Sequence, residues 1–321
     1  MIPVMPVEEK EELFSSYRNV PWLIRKVSIS RQPSVSAFVT LRKLPEGDPG
    51  RRAFLGFGDP IFNEEQLALA DREKEGRPVD SLGGEEVIHV RGIRITEQGN
   101  LDNTQILSCQ LGNLNRLPDT AEEIKSIADT MGADHTQDIF LGKSASEKQV
   151  KSMDLSNRRV IAFASHALVP GDLDGLEEPA IALSAPSVTG DDDDGLLKMG
   201  EVLKLKLNAD WVVLSACNTG AADGAGAEAV SGLGRAFFYA GTRAILVSMW
   251  PVETTSARKL TTGLFQYQKE NKTLSRVRAH QKSILALIDS PGLIDDASGK
   301  VVASYAHPLF WAPFILVGDG G

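Results

Sequence analysis

Two reactive side chains of this chain stand at corresponding places in two apolar runs. VIAFASH ends on His166 and WVVLSAC ends on Cys217, each where a strand pattern gives way to loop residues. In a parallel α/β sheet the carboxyl ends of adjacent strands open into one crevice. If these two strands are neighbours, an imidazole and a thiol face each other across it. Free cysteine, with a pKa of about 8.5, is only a few per cent thiolate at neutral pH. A histidine that takes the thiol proton and later hands it to a leaving amine makes the sulfur a nucleophile. Small neighbours, Ala164, Ser165 and Ala167 on one side and Ala216, Asn218, Thr219 and Gly220 on the other, leave room for a substrate backbone. The amides of Ala167 and Cys217 are the expected oxyanion donors, each worth about 3 to 4 kcal/mol in a site of this kind. Taken singly, a strand cysteine is more often an inert core residue; it is the pair at equivalent positions that points to catalysis. Cys109 and the other histidines, His89, His135, His280 and His307, have no such partner pattern.

The elements that must position this pair follow from periodicity. From Leu117 onward strands alternate with helices: LPDTAEEIKSIADTMGA is a helix capped by Asp119 or Thr120 and ended by Gly132, DIFLG a strand, SASEKQVKSM a helix, RRVIAFASHA a buried strand. DGLLKMGEVLKLKL is expected to be helical, ADWVVLSAC a buried strand, AVSGLGRAFFYAG a helix and TRAILVSMWPV a fourth buried strand. Helices over TTSARKLTTGLFQYQKE and LSRVRAHQKSILALID follow, and WAPFILVGDG closes the sheet. This alternation calls for a mostly parallel sheet with helices on both faces.

The amino-terminal part is less regular. EEKEEL suggests a helical turn, PWLIRKVSIS a strand, and residues 36 to 43 a strand or short helix. The turn cluster LPEGDPG sets residues 1–50 apart as an arm, after which RRAFLGFGDP opens the main domain, residues 51–321. Residues 64–108, a helical EEQLALADREKEG followed by the alternating strand EEVIHVRGIRI, are taken as an insertion.

Composition sets limits on the partners. With 42% apolar and 24% charged residues the chain is of ordinary globular type. A net charge of −9 and no run of clustered Lys and Arg argue against nucleic acid as a partner, and Arg51-Arg52 and Arg158-Arg159 read as solvated strand starts. No apolar run reaches the roughly 20 residues that span a bilayer. The presence of only two cysteines favours a reducing, cytoplasmic location.

Four segments in order, HALVPGDLDGLEEPAIALS, DGLLKMGEVLKLKLNADWVVLSACNTG, GLGRAFFYAGTRAILVSMWPV and HPLFWAPFILVGD, resemble the CHAT domain, a caspase-like peptidase family related to separases. The resemblance runs from about Arg51 to the carboxyl terminus and is dense from Asp119. It implies a caspase-like α/β/α sandwich and a cysteine endopeptidase with a His166/Cys217 dyad, needing no metal or organic cofactor. The family's cysteine motif, Ser-Ala-Cys-Asn-Thr-Gly, is matched in full by Ser215 to Gly220, whereas its His-Gly is His166-Ala167 here. A glycine with positive φ would be the one thing alanine replaces badly.

By the same resemblance, Ser215, two before the nucleophile, and Glu253, after Trp250, are expected near the substrate side chain. Cleavage after Arg or Lys would then rest on Glu253 or on acids in the loop after His166, such as Asp172 and Asp174, whose other reading is solvated loop charge. Family members often sit beside helical repeats or sensor modules, which implies a regulatory partner as well as a protein substrate. The family's upstream Leu-Pro-Phe-like strand is not evident before Pro21, so a fragment or a shortened amino end is expected.

Two other readings compete. The same fold without chemistry would be an interaction scaffold. Gly224, Gly226 and Ala229 fit a loose GxGxxA dinucleotide pattern, but they begin seven residues past Cys217 instead of immediately after the strand. The run Asp191 to Asp194 lacks the glycine-spaced pattern of a calcium loop and is read as exposed and flexible, with processing or calcium as the alternatives.

Overall fold

The computed structural model describes residues 13–45, 47–76, 110–215, 225–250, 252–294 and 299–321. The expected turn at EEKEEL (except for Leu13), the strand EEVIHVRGIRI, Cys109, Cys217 and Gly224 lie outside the described residues.

Side-chain parity builds the architecture. In β3 (Arg158–Ala164), Val160, Ala162 and Ala164 point to one face while Ile161 and Phe163 point to the other. β7 (Trp211–Leu214) and β8 (Ala244–Ser248) repeat the division, with Trp211, Val213, Ala244 and Leu246 against Val212, Leu214, Ile245 and Val247. Strands buried on both faces need helices on both. One face carries α3 (Asp119–Met131), α6 (Thr254–Glu270) and α7 (Arg276–Ile288), and the other α5 (Ala225–Ala240), the shorter α4 (Glu147–Ser152) lying on that second side. With β1 (Arg52–Gly58), β2 (Ile139–Leu141) and β11 (Phe314–Gly318), the sheet runs β11-β8-β7-β3-β1-β2, parallel throughout except for β11. The expected three-layer α/β/α sandwich is thus observed.

Smaller antiparallel ladders complete it. β4 (Ala167–Leu168), β5 (Ala180–Ala182) and β6 (Leu196–Lys198) form a three-stranded sheet with β4 at its edge, and β9 (Leu293–Ile294) pairs with β10 (Val301–Ala303).

Several expectations need correction. The segment from Asp194 on is mostly not helical: Gly195, at φ +82°, leads into β6, whose Leu196 and Leu197 are both fully buried, and only Met199–Val202 turns as a helix. Burial on both sides of an extended chain outweighs the helical spacing. PWLIRKVSIS is not a strand; Leu23–Arg25 makes a single 3-10 turn that puts Ile24 into the core, where its carbonyl accepts from the Gln281 side chain at 2.6 Å. Residues 36 to 43 fall in a helix, α1 (Val35–Lys43), and residues 64–74 form α2 (Glu64–Lys74) as expected. Neither Asp119 nor Thr120 caps α3. The Thr120 hydroxyl instead donates to the Leu117 carbonyl and accepts from the Asp59 amide.

One member of each basic pair is buried, while Arg52 and Arg159 keep side chains 35% and 50% exposed. Arg51 and Arg158 are buried, Arg51 against Asp210 and Arg158 against Asp138, because they stand in one row at the amino ends of parallel strands. The aspartate run is fastened as well: Asp191 pairs with Lys148, Asp193 with Lys151 and Asp194 with Lys198. Among the described residues no helix is long and apolar enough to cross a membrane.

Candidate active site

β3 and β7 are direct neighbours, with Phe163 opposite Leu214. His166 therefore stands two residues past the end of one strand, beside the strand whose continuation carries Cys217.

β5 pins the chain leaving β3. Ser165 Oγ donates to the Ala182 carbonyl at 2.5 Å, and the Ala182 amide donates to the His166 carbonyl at 2.9 Å. Since His166 and Ala182 form a hydrogen-bonded antiparallel pair, the next pair, Ala167 and Ile181, is of the other kind. The Ala167 N–H thus points away from β5, on the outer side of an edge strand. Ala167 is not among the positive-φ residues, so alanine occupies this position without backbone strain.

The His166 ring is fully buried, 5.7 Å from the Phe62 ring. Its Nε2 lies 2.8 Å from the Asn115 carbonyl oxygen, which can only accept. We assign the neutral ring as the Nε2–H tautomer, whose basic nitrogen is Nδ1.

The loop that presents Asn115 is tied to β1. Arg116 grips Asp59 with Nε–Oδ1 at 2.8 Å and Nη2–Oδ2 at 2.7 Å, and its third nitrogen reaches Glu73 at 2.8 Å. Asp59 sits just past β1 at φ 50°, and burial holds its carboxyl above the ordinary range in spite of Arg116. Two glycines let α3 approach β1 closely enough for this. A Cβ on Gly56 would meet Ile124 at 2.6 Å, and one on Gly58 would meet the Thr120 carbonyl at 3.1 Å.

At the end of β7 the Ser215 amide donates to the Phe163 carbonyl at 3.0 Å. The Ser215 hydroxyl donates to Glu123 Oε2 at 3.0 Å, and Thr261 donates to Glu123 Oε1 at 3.1 Å. All three are buried. The Ser215 side chain is thus committed to a carboxylate inside the fold. Glu253 is likewise turned inward: it is 6% exposed and caps α6, accepting from the Thr255 and Ser256 amides at 2.7 Å each. Of the loop acids, Asp172 accepts from the Val169 amide at 2.8 Å and Asp174 from the Gln110 side chain at 2.7 Å.

Sequence reasoning missed Asn115, Arg116, Asp59 and Glu123. The first acts through its backbone, which no residue type announces. The others are charged residues whose partners lie 57 and 92 positions away.

A family model, that of the CHAT domain, matches residues 8–319, and so takes in residues before Arg51. Among curated proteins, the Tetratricopeptide repeat protein 28 of Homo sapiens is 29% identical over 126 residues, 39% of this chain and 4% of that protein. Its Mus musculus counterpart is 29% identical over 127 residues, again 39% of this chain and 4% of the relative. The chain thus spans only a small part of these relatives' length. Among solved structures, the crystal structure of the Arg-specific cysteine proteinase gingipain R aligns with a TM-score of 0.35 at 12% identity, covering 62% of this chain and 41% of that one.

Proposed function

The chain belongs to the CHAT domain family, and on that premise we propose that it is a cysteine endopeptidase with His166 and Cys217 as its dyad. The Cys217 thiol gives its proton to His166 Nδ1, and the thiolate forms a C–S bond to the substrate carbonyl carbon. The oxyanion is met by the amides of Ala167 and Cys217. Collapse breaks the C–N bond as the imidazolium returns its proton to the leaving amine. Water, deprotonated by His166, then hydrolyses the thioester and restores the thiol. None of these steps calls on a cofactor.

One observation carries the reading: the imidazole stands at the end of the strand adjoining the cysteine strand, with Nε2 committed to the Asn115 carbonyl. That leaves the basic lone pair on Nδ1. With Glu253 engaged as the cap of α6, Asp172 and Asp174 are the expected acids left to favour Arg or Lys. The relatives are named for tetratricopeptide repeats, which supports a repeat module as regulator of a cytoplasmic enzyme.

Incubation with a randomised peptide library, with and without a cell lysate to supply activators, tests the proposal. Cuts present in the wild type and absent in Cys217→Ala are expected. The complete burial of the His166 ring favours a second reading, a catalytically silent scaffold in which that ring only packs. A library left uncut under both conditions selects that reading.

A further inference from the structure

At the amino-terminal end of the sheet, opposite His166, lies a cavity of about 880 Å³ between the start of the strands, α1, α6 and the beginning of α7. Sequence inspection finds no basic cluster, yet the fold gathers one here from five distant segments. Arg51, Arg159, Arg243 and Arg276 all converge on Asp210, at 3.1, 3.4, 3.7 and 4.0 Å. Arg42 and Arg276 share Asp319, at 3.0 and 3.1 Å. Lys269 and Lys272 add exposed ammonium groups to the lining. Among the lining side chains that is seven cations against two carboxylates, in a chain whose net charge is −9; the backbone end at Gly321 also faces the cavity and accepts from Arg42 at 3.0 Å.

Two carboxylates cannot neutralise five guanidiniums. Arg51 and Arg243 have side chains only 5% and 11% exposed, so their repulsion is poorly screened by water. Burial and the nearby Arg243 both work against the charge on Arg276. Contacts to backbone carbonyls hold the heads in place: Arg51 donates to Asn208, and Arg243 to Leu44 and Pro45. Pre-positioned guanidiniums suit tetrahedral oxyanions, which they bind bidentately.

We propose that this cavity is a binding site for a small, multiply charged oxyanion of the oligophosphate class. Its volume and its charge excess both exceed what a single orthophosphate would satisfy. The site lies away from the dyad, so it stands or falls independently of the peptidase reading.

The probe is inorganic tripolyphosphate, followed by thermal shift and isothermal titration calorimetry at fixed ionic strength. Saturable binding that raises Tm is expected, with orthophosphate and sulfate at least about tenfold weaker because each offers fewer charged oxygens. The triple variant Arg159→Gln, Lys269→Gln, Lys272→Gln alters only exposed side chains, and its ligand-free Tm checks that it folds. It should bind tripolyphosphate about tenfold more weakly. A Tm rise no larger than with sulfate at matched ionic strength overturns the proposal, as does equal affinity in wild type and a folded triple variant. If the triple variant fails to fold, Arg159→Gln alone takes its place and must still weaken binding.

Discussion

Arg116 lies across the carboxylate of Asp59 in a two-bonded pair, and the residue just before it supplies the carbonyl that holds His166. The pair is nearly buried, with side chains 13% and 9% exposed. It fastens the Asn115 loop to the end of β1, next to the strand that leads to the histidine.

Removing one partner of such a pair leaves the other charge stranded in the protein. Arg116→Met is expected to cost about 3 kcal/mol in urea denaturation. Under the proposed mechanism it also lets the Asn115 carbonyl drift, lowering kcat about 10- to 100-fold with KM little changed. Asp59→Asn, which keeps one acceptor for Arg116, should fall between this variant and the wild type on both readouts. Loss of stability with unchanged kcat would make the pair purely structural.

Glu123 makes a different prediction. Its carboxylate accepts from Ser215 and Thr261 in a fully buried place, so Glu123→Ala removes an acceptor from both hydroxyls, of which Thr261 keeps the Ala257 carbonyl at 3.0 Å, and leaves a void. A loss of about 3 kcal/mol is expected, against about 1 kcal/mol for Glu123→Gln, as equilibrium denaturation would measure. The preferred cleavage sites should be the same in Glu123→Gln as in the wild type. A changed preference would mean that this acid reaches the substrate.

The contrast between the dyad and its supports shows what is legible in the sequence. β1, β3, β7 and β8 announce themselves as short apolar runs, and α3, α6 and α7 as amphipathic ones, because burial on two faces or one leaves a periodic trace. His166 is visible because it ends such a run. The one-sided periodicity of DGLLKMGEVLKLKL misleads because its first residues form β6, a strand paired with β5 and buried on both faces. Asn115, Asp59 and Glu123 are invisible for another reason: their roles arise only when segments 51 to 92 positions apart come together. The arginines around Asp210 are spread from Arg51 to Arg276, and no local window shows them as a cluster.

His280 provides a pH test. It is fully buried on α7, its Nε2 makes no hydrogen bond, and burial pushes its pKa from 6.5 down to about 4. The folded state therefore holds it neutral, and its contribution to stability is complete above pH 6.5 and lost as the pH falls through about 4. Between pH 7 and pH 4 the wild type should lose about 3 kcal/mol more than His280→Leu, in which nothing titrates at this place. Parallel acid profiles of the two proteins would show that the imidazole is solvated.

The most direct test of the central claim is the rate at which Cys217 is alkylated by iodoacetamide as a function of pH, in wild type and in His166→Ala, with Cys109 as internal reference. If His166 takes the thiol proton, Cys217 reacts at pH 7 at least about ten times faster than a free thiol of pKa about 8.5, and His166→Ala abolishes that advantage. A Cys217 profile that matches an ordinary thiol and is unchanged in His166→Ala would contradict the dyad.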